Sequence, residues 1–437
     1  MNAVIIAVLV MLVLSLLRIN VVFSLIIGAI AGGLTGGMTF DEIVKVFTEG
    51  LGNNASVALS YGLLGGFAVA LSSTGLPNAL VDLVSKGVRQ KNEDRNKTLT
   101  KVFVILFILL IACFSQNVIP VHIAFIPILI PSLLGILNEL KIDRRLIAST
   151  LAFGLIAPYV LLPYGFGHIF HTILAENIKL AGLSIDIQDI PMAMVIPVLG
   201  MVVGLLIAIF ISYRKPRDYE QNDEVIVQKQ EYQLKSVLFG TISIIGALLV
   251  QILLDSMIFG ALAGITILYI TKALKWSEAD RLLTDGMRMM AFIGFVMLAA
   301  QGFASVIQET GHVEVLVSSI ANLIGGNKAL GSMLMLIVGL LVTMGIGSSF
   351  STIPIIAVIY VPLCLELGFS PLATISLIGT AAALGDAGSP ASDSTLGPTA
   401  GLNVDNQHHH IWDTCVPTFI HYNIPLIIFG WIASMIL

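Results

Sequence analysis

Apolar runs of roughly 15 to 25 residues follow one another along the chain with only short polar breaks, the pattern of helices that cross a bilayer. In the first half the runs predict crossings near 3–17, 20–36, 56–72, 146–175 and 190–212. In the second they predict crossings near 236–253, 257–273, 289–307, 370–400 and 415–437. Two further apolar stretches, about 101–140 and 329–368, are interrupted by polar tips: SQNVIP, Ser115 to Pro120, and GIGSSFSTIP, Gly345 to Pro354. Charge parity does not separate two full crossings from a hairpin that turns back inside the membrane, because both return to the same side. The first limb is only about 13 residues against the roughly 20 needed to span, which favours a re-entrant hairpin. Two amphipathic segments, Phe40 to Leu51 and Trp276 to Met287, read as arms lying along the interface.

The sharpest departure from this pattern is GDAGSPASDSTLGPT, Gly385 to Thr399, which puts two carboxylates, five hydroxyls, three glycines and two prolines into an apolar run. Proline removes a donor and glycine loosens the backbone, so the helix must break there, with half-helix ends and carbonyls able to hold a cation beside Asp386 and Asp393. The first half has its own broken crossing, APYVLLPYGFGH, Ala157 to His168, with Tyr159, Tyr164 and His168 but no carboxylate.

The two halves match at a shift of 236. Phe259, Gly264, Gly286, Gly302, Phe303, Thr310 and Gly311 fall on Phe23, Gly28, Gly50, Gly66, Phe67, Thr74 and Gly75. So long a period is the doubling of a transporter built from two related halves. With five crossings and one hairpin in each, the second half enters the bilayer from the opposite side. The expected fold is an all-α polytopic membrane protein of two inverted repeats, 1–213 and 236–437, joined by a linker at 214–235.

Composition agrees: 57% of the 437 residues are hydrophobic and 11% charged, and the longest polar stretch is too short to bury a core of its own. Basic residues set the orientation. Lys86, Arg89, Lys91, Arg95, Lys97 and Lys101 fill one loop, Lys141, Arg144 and Arg145 the next, and Arg214, Lys215 and Arg217 open the linker, all read as cytoplasmic. The Ala175 to Ile190 loop carries Glu176, Asp186 and Asp189 against Lys179, so it faces outward and both termini lie outside. Cys113, Cys364 and Cys415 sit in or beside apolar runs and read as small buried hydrophobes.

Candidate site residues follow from the breaks and tips: Ser115, Gln116 and Asn117 on one hairpin and Ser348, Ser349, Ser351 and Thr352 on the other, with Tyr159, Tyr164 and His168, and Asp386, Ser389, Asp393 and Ser394. Hydroxyls and amides at the tips also suit helix caps, and capping is compatible with holding an ion. Asp386 and Asp393 are the Na+ candidates. His408, His409 and His410 beside Asp405 and Asp413 suggest a metal site, but no second cluster completes one, and the stretch reads as a solvated cytoplasmic loop in which neutralising Asp405 changes little.

With tips and breaks in place the chain resembles the NhaC-type Na+/H+ antiporter family, and its YuiF-type permease branch, within the ion transporter superfamily. The resemblance is carried by GDAGSPASDSTLGPTAGLN, Gly385 to Asn403, and WDTCVPTFIHYNIP from Trp412. It implies two inverted repeats whose hairpins and broken helices meet at the substrate site, a homodimer, and a cargo that is Na+ exchanged for H+ or an organic solute such as the amino acid histidine. No Walker-type nucleotide motif is present, so an ion gradient, Na+ or H+, is the expected energy source, with no other cofactor and no nucleic-acid partner. The expected function is an alternating-access antiporter of the plasma membrane. The alternative is a Na+- or H+-coupled permease for a small amino acid, which Tyr159, Tyr164 and His168 favour because an organic side chain needs an amphipathic pocket. A channel fits paired broken helices less well, and no G-x-S-x-G elbow or HExxH helix supports a hydrolase, so the chain is not expected to be an enzyme.

Overall fold

The computed structural model describes residues 2–53, 55–76, 95–117, 122–164, 166–220, 233–254, 256–313, 326–346 and 349–437, with the isolated positions 79, 82 and 315. Among the described residues every regular element is a helix. The basic loop at 86–94, the hairpin-tip positions 118–121 and 347–348, and most of the linker, 221–232, lie outside them.

The chain opens with α1 (Ala3–Leu16), α2 (Val21–Thr35), α3 (Phe40–Asn53) and α4 (Ala55–Ser73). Polar residues start these helices where the apolar runs begin: the Asn2 side chain accepts from Val4 N and that of Asn20 from Val22 N, each at 2.9 Å. Next come α5 (Arg95–Asn117) and α6 (His122–Glu139), then α7 (Arg144–Leu161), capped by Asp143, α8 (Phe166–Leu180) and α9 (Asp189–Ile207), which ends in the π-turn Ala208–Ser212. The second half holds α10 (Leu234–Leu254), α11 (Met257–Ile270), α12 (Ala279–Glu309), α13 (Lys328–Ile346), α14 (Ser349–Glu366), α15 (Pro371–Ala383) and α16 (Asp393–Leu402). It closes with a π-helical stretch, His410–Cys415 and Phe419–Asn423 around the short α-turn Val416–Thr418, and with α17 (Ile424–Ile436).

Among the described residues, five helical segments are long and apolar enough to cross a membrane: Arg144–Leu161, Asp189–Ser212, Leu234–Leu254, Lys328–Gly345 and His410–Ile436. Shorter apolar helices accompany them, α1, α2 and α11 among them. At about 1.5 Å per residue such a helix of 14 or 15 residues covers a little over 20 Å.

Glycines let the helices approach where lipid supplies no hydrophobic drive between them. A Cβ at Gly28 on α2 would fall 3.0 Å from the Phe303 ring on α12, and one at Gly264 on α11 would fall 2.5 Å from the Phe67 ring on α4. Gly50 similarly faces Gly302, and Gly286 faces Gly65 and Gly66.

Three sequence expectations change here. The second amphipathic segment is not a separate arm, since from Ala279 onward it forms the first turns of the 31-residue α12, whereas the first makes a helix of its own, α3, with Ile43 buried against Gly33 and Phe47 against Gly302. Close contact at Gly286 draws those turns into the bundle. The first hairpin limb is a 23-residue helix, so its length no longer favours a hairpin over two crossings, because the basic residues at its start extend the helix beyond the apolar run. Arg144 is not a solvated loop charge; it is fully buried.

Both expected breaks are non-helical. Between α7 and α8 the chain leaves the helix at Leu162, Pro163 and Tyr164, while Pro158 stays inside α7; between α15 and α16 it does so from Leu384 to Ser392.

Candidate functional site

The second break is shaped by its own residues and held by side chains from three other elements. Gly385 and Gly388 adopt φ of +92° and +84°, a region that side-chain-bearing residues rarely occupy, and this turns the chain sharply out of α15. Asn423 clamps the turn from both sides, its Oδ1 accepting from Gly385 N at 3.0 Å and its Nδ2 donating to Ala387 O at 2.6 Å. Thr395 Oγ1 donates to Ser389 O at 2.6 Å, His410 Nε2 to Pro390 O at 2.9 Å, and Thr343 of α13 to Ala381 O at 3.2 Å. Carbonyls freed by the break, at Ala387, Ser389 and Pro390, therefore already accept bonds from the protein, as buried carbonyls must.

Asp386 is buried, and Tyr159 Oη from the end of α7 and Ser349 Oγ, the first residue of α14, both donate to its Oδ2. The two hydroxyls lie 3.1 Å from each other. The Ser349 backbone N–H also faces the carboxylate, so the positive end of α14 points at it. Among the described residues no ion pair involves Asp386, and the main interactions that reach it come from Ser349, Tyr159 and Asp393. The ring of Tyr159 is itself packed among others, with Phe166, Phe170 and Phe350 at 5.7, 5.3 and 6.0 Å between centroids. A charge in such surroundings is stabilised by taking up either a proton or a cation.

The structure thus brings Tyr159, Ser349 and Asp386 together, with Thr352 and Ser389 buried on the same two elements. Asp393 opens α16, where Ser394 Oγ donates to its Oδ1 at 3.4 Å and the helix N-terminus favours its charge. Tyr164 is 73% exposed and His168 is exposed as well, so neither side chain joins the buried group around Asp386. Ser348 and the side chains of Ser115, Gln116, Asn117 and Ser351 lie outside the described residues.

The polar stretch after α16 is not a solvated loop. Asp405 is 8% exposed, and its two oxygens each accept from Arg144 at 2.6 Å; the guanidinium also donates to Leu402 O at 2.9 Å and stacks on Tyr219, 4.3 Å from the ring centroid. Burial works to raise the Asp405 pKa, but the hydrogen bonds and charge of Arg144 hold it below its usual value. His408 and His410 are buried beside it. The reason is that the loop folds back onto the start of α7, which a linear reading treats as a separate cytoplasmic turn.

Sequence reasoning also passed over Asn423 and the rings of Phe166, Phe170 and Phe350. For Asn423 a signal existed, an amide within an apolar run. The phenylalanines look like any apolar residue until the fold gathers them.

Residues 150–431 match the model of a Na+/H+ antiporter family, and residues 2–88 that of a Na+-H+ antiporter family. YuiF of Bacillus subtilis (strain 168), whose name provisionally assigns it amino acid transport, is 60% identical over the whole of both chains. An uncharacterized membrane protein of Vibrio parahaemolyticus is 56% identical, again over the whole of both chains. The solved YdaH transporter of Alcanivorax borkumensis aligns over 90% of this chain and 88% of its own at 13% identity, with a TM-score of 0.44, a likeness too loose to define the fold.

Proposed function

Because the chain belongs to the Na+/H+ antiporter family and is a secondary transporter of a membrane, we propose that Asp386 exchanges Na+ for H+, assisted by Tyr159 and Ser349. The observation that carries this is a buried carboxylate that has no cationic partner among the described residues and is reached by hydroxyls from α7 in one half and α14 in the other. Na+ binding to it displaces a proton and protonation displaces Na+, the minimal exchanger. Asp393, Ser389 and Ser394 line the approach along the break. The ring of aromatics supports a second reading in which the cargo is a small amino acid and Asp386 meets its ammonium group, in keeping with the name of the Bacillus relative.

The halves 1–213 and 236–437 are inverted repeats in this proposal. Contacts reciprocal under the 236-residue shift support it: Gly28 against Phe303 is answered by Gly264 against Phe67, and Gly50 against Gly302 by Gly286 against Gly66. Reciprocal contacts of this kind are what a two-fold axis between the halves produces. The contact of Ser349 with a mid-run carboxylate supports a re-entrant α13–α14 hairpin, and α5–α6 takes the corresponding place. Both termini then face outward from the plasma membrane, and two copies form the family-like homodimer. Single cysteines at Asp218 and Glu176, in a background free of Cys113, Cys364 and Cys415, are expected to label from the cytoplasm only and from outside only, respectively; reversed labelling overturns this orientation.

A melting-temperature panel with purified protein, Na+, Li+ and the common amino acids separates the two cargo readings, because a ligand that binds only the folded form raises the melting temperature. Na+ or Li+ alone should raise it if the cargo is an ion, and an amino acid should do so if it is organic. Tyr159→Phe keeps the ring packing and removes one donor, and is expected to weaken the stabilising ligand about ten-fold, the equivalent of about 1.4 kcal/mol and within the range for a hydrogen bond to a charged group. Unchanged ligand dependence in Tyr159→Phe would remove the hydroxyl from the site.

A further inference from the structure

Two cavities of opposite character meet beside the end of α1. The first is a cleft of about 700 Å³ with Arg18, Asn20, Asn403, His409 and Asp413 among its lining residues. The second is a recess of about 180 Å³ between Leu12 and Leu16 of α1 and Cys415, Phe419 and Ile420 of the closing π-helical stretch, and nearly all of its surface is apolar. Gly388 and Pro390 of the broken stretch complete the recess, and Ile411 belongs to both linings. The two walls are in register. On α1 the recess residues Leu12 and Leu16 precede Arg18, and on the facing wall Cys415 and Phe419 follow His409, so each wall passes from a polar end into an apolar depth.

The polar end is arranged for an anion. Arg18 is exposed in the turn between α1 and α2, and among the described residues no ion pair engages its guanidinium. His409 Nδ1 accepts from Ile411 N at 3.2 Å and Trp412 N at 3.4 Å, so the neutral ring carries its hydrogen on Nε2 and has a donor to offer. Burial and, after it, the charge of Arg18 lower the His409 pKa, which keeps the ring neutral at rest. The Oδ1 atoms of Asn20 and Asn403 accept from Val22 N at 2.9 Å and His408 N at 3.1 Å, so both amide NH2 groups are further donors. Asp413, the acid of the cleft, is already met: Arg217 lies 3.3 Å from its Oδ1, and His409 N donates to its Oδ2 at 2.9 Å.

We propose that the two cavities together bind one anionic phospholipid, with its phosphate in the cleft on Arg18 and the Nε2–H of His409 and one acyl chain running past Ile411 into the recess. A free anion suits only the cleft and a hydrocarbon only the recess. A phospholipid joins the two chemistries in the order in which both walls present them. An apolar cavity of about 150 Å³ takes up a benzene, so the recess holds about six or seven carbons of the chain. The lipid comes from the leaflet on the linker side, because Arg217 of the linker meets Asp413 at this face, and basic groups at a membrane boundary attract anionic headgroups. Once bound it ties α1 to Gly388 and Pro390, and so steadies the broken stretch that carries Asp386. The site is the same whether the cargo is an ion or an amino acid.

The test uses the full chain, delipidated in an uncharged detergent, with melting temperature and native mass spectrometry as readouts. Dioleoyl phosphatidylglycerol is expected to raise the melting temperature and to stay bound as an adduct, whereas dioleoyl phosphatidylcholine and inorganic phosphate at the same concentration do neither. Arg18→Gln should raise the half-saturating phosphatidylglycerol concentration at least five-fold. Leu16→Trp, which fills the recess from a position 40% exposed, should do the same, and Ile420→Trp serves if that variant does not fold. Lys275→Gln, at a side chain 80% exposed and outside both cavities, should stay within two-fold of the parent. Equal stabilisation by inorganic phosphate would reduce the site to an anion cleft, and equal stabilisation by phosphatidylcholine would reduce it to a hydrocarbon recess; either result overturns the lipid assignment. So does a half-saturating concentration within two-fold of the parent in Arg18→Gln or in the folded recess variant.

Discussion

Asp386→Asn is expected to lower ion-coupled transport in proteoliposomes at least 100-fold while leaving the protein folded and inserted. Asparagine keeps the shape and can still accept from Tyr159 and Ser349, but it neither binds a proton nor balances the charge of a cation, and competition between those two is the proposed chemistry. Folding is judged by size-exclusion profile and melting temperature, which should stay close to the parent because no positive charge is orphaned by the change. Asp393→Asn should have a smaller effect, since that carboxylate sits at a helix N-terminus and is less buried. Parent-like transport by both variants under an imposed Na+ or H+ gradient would mean that the broken stretch does not couple the gradient.

The opposite outcome is expected of Asp405→Asn, where stability fails first. The change leaves the Arg144 guanidinium buried at 0% exposure without its charge partner, a loss of about 3–5 kcal/mol for a broken buried pair. Folded yield in mild detergent should fall steeply, and Arg144→Met with Asp405→Leu together should recover much of it, because the pair as a whole competes with apolar residues of similar size. The Asp405 pKa is depressed in the folded chain, so its contribution is fully present above the ordinary carboxylate value of about 3.9 and disappears as pH falls through the lowered value. The stability gap between parent and Asp405→Asn should therefore be constant from pH 8 to about 5 and close only in stronger acid. Equal stability at neutral pH would show that this pair does not fasten the loop after α16 to α7.

What the amino-acid order settled by itself was the helical class and the places where helices stop. Apolar runs of membrane length admit little but helices, since each backbone group must find its partner within the segment, and Gly385, Gly388 and Pro390 cannot continue one. The shift of 236 was legible for the same local reason: glycine, phenylalanine and Thr-Gly positions mark close approaches and turns that each half must make. What stayed hidden was every feature made between segments distant in sequence. Asp386 finds Tyr159 at a separation of 227 positions and Arg144 finds Asp405 at 261, and no periodicity encodes such pairs. The histidine run shows the cost of that blindness: in sequence three histidines among acids look solvated, and only when the loop packs against α7 are His408 and His410 buried and hydrogen-bonded to Thr414 and Thr399, while His409 stays exposed. Helix breaks are decided by the residues at the break, whereas the chemistry of the break is decided by what the fold brings to it.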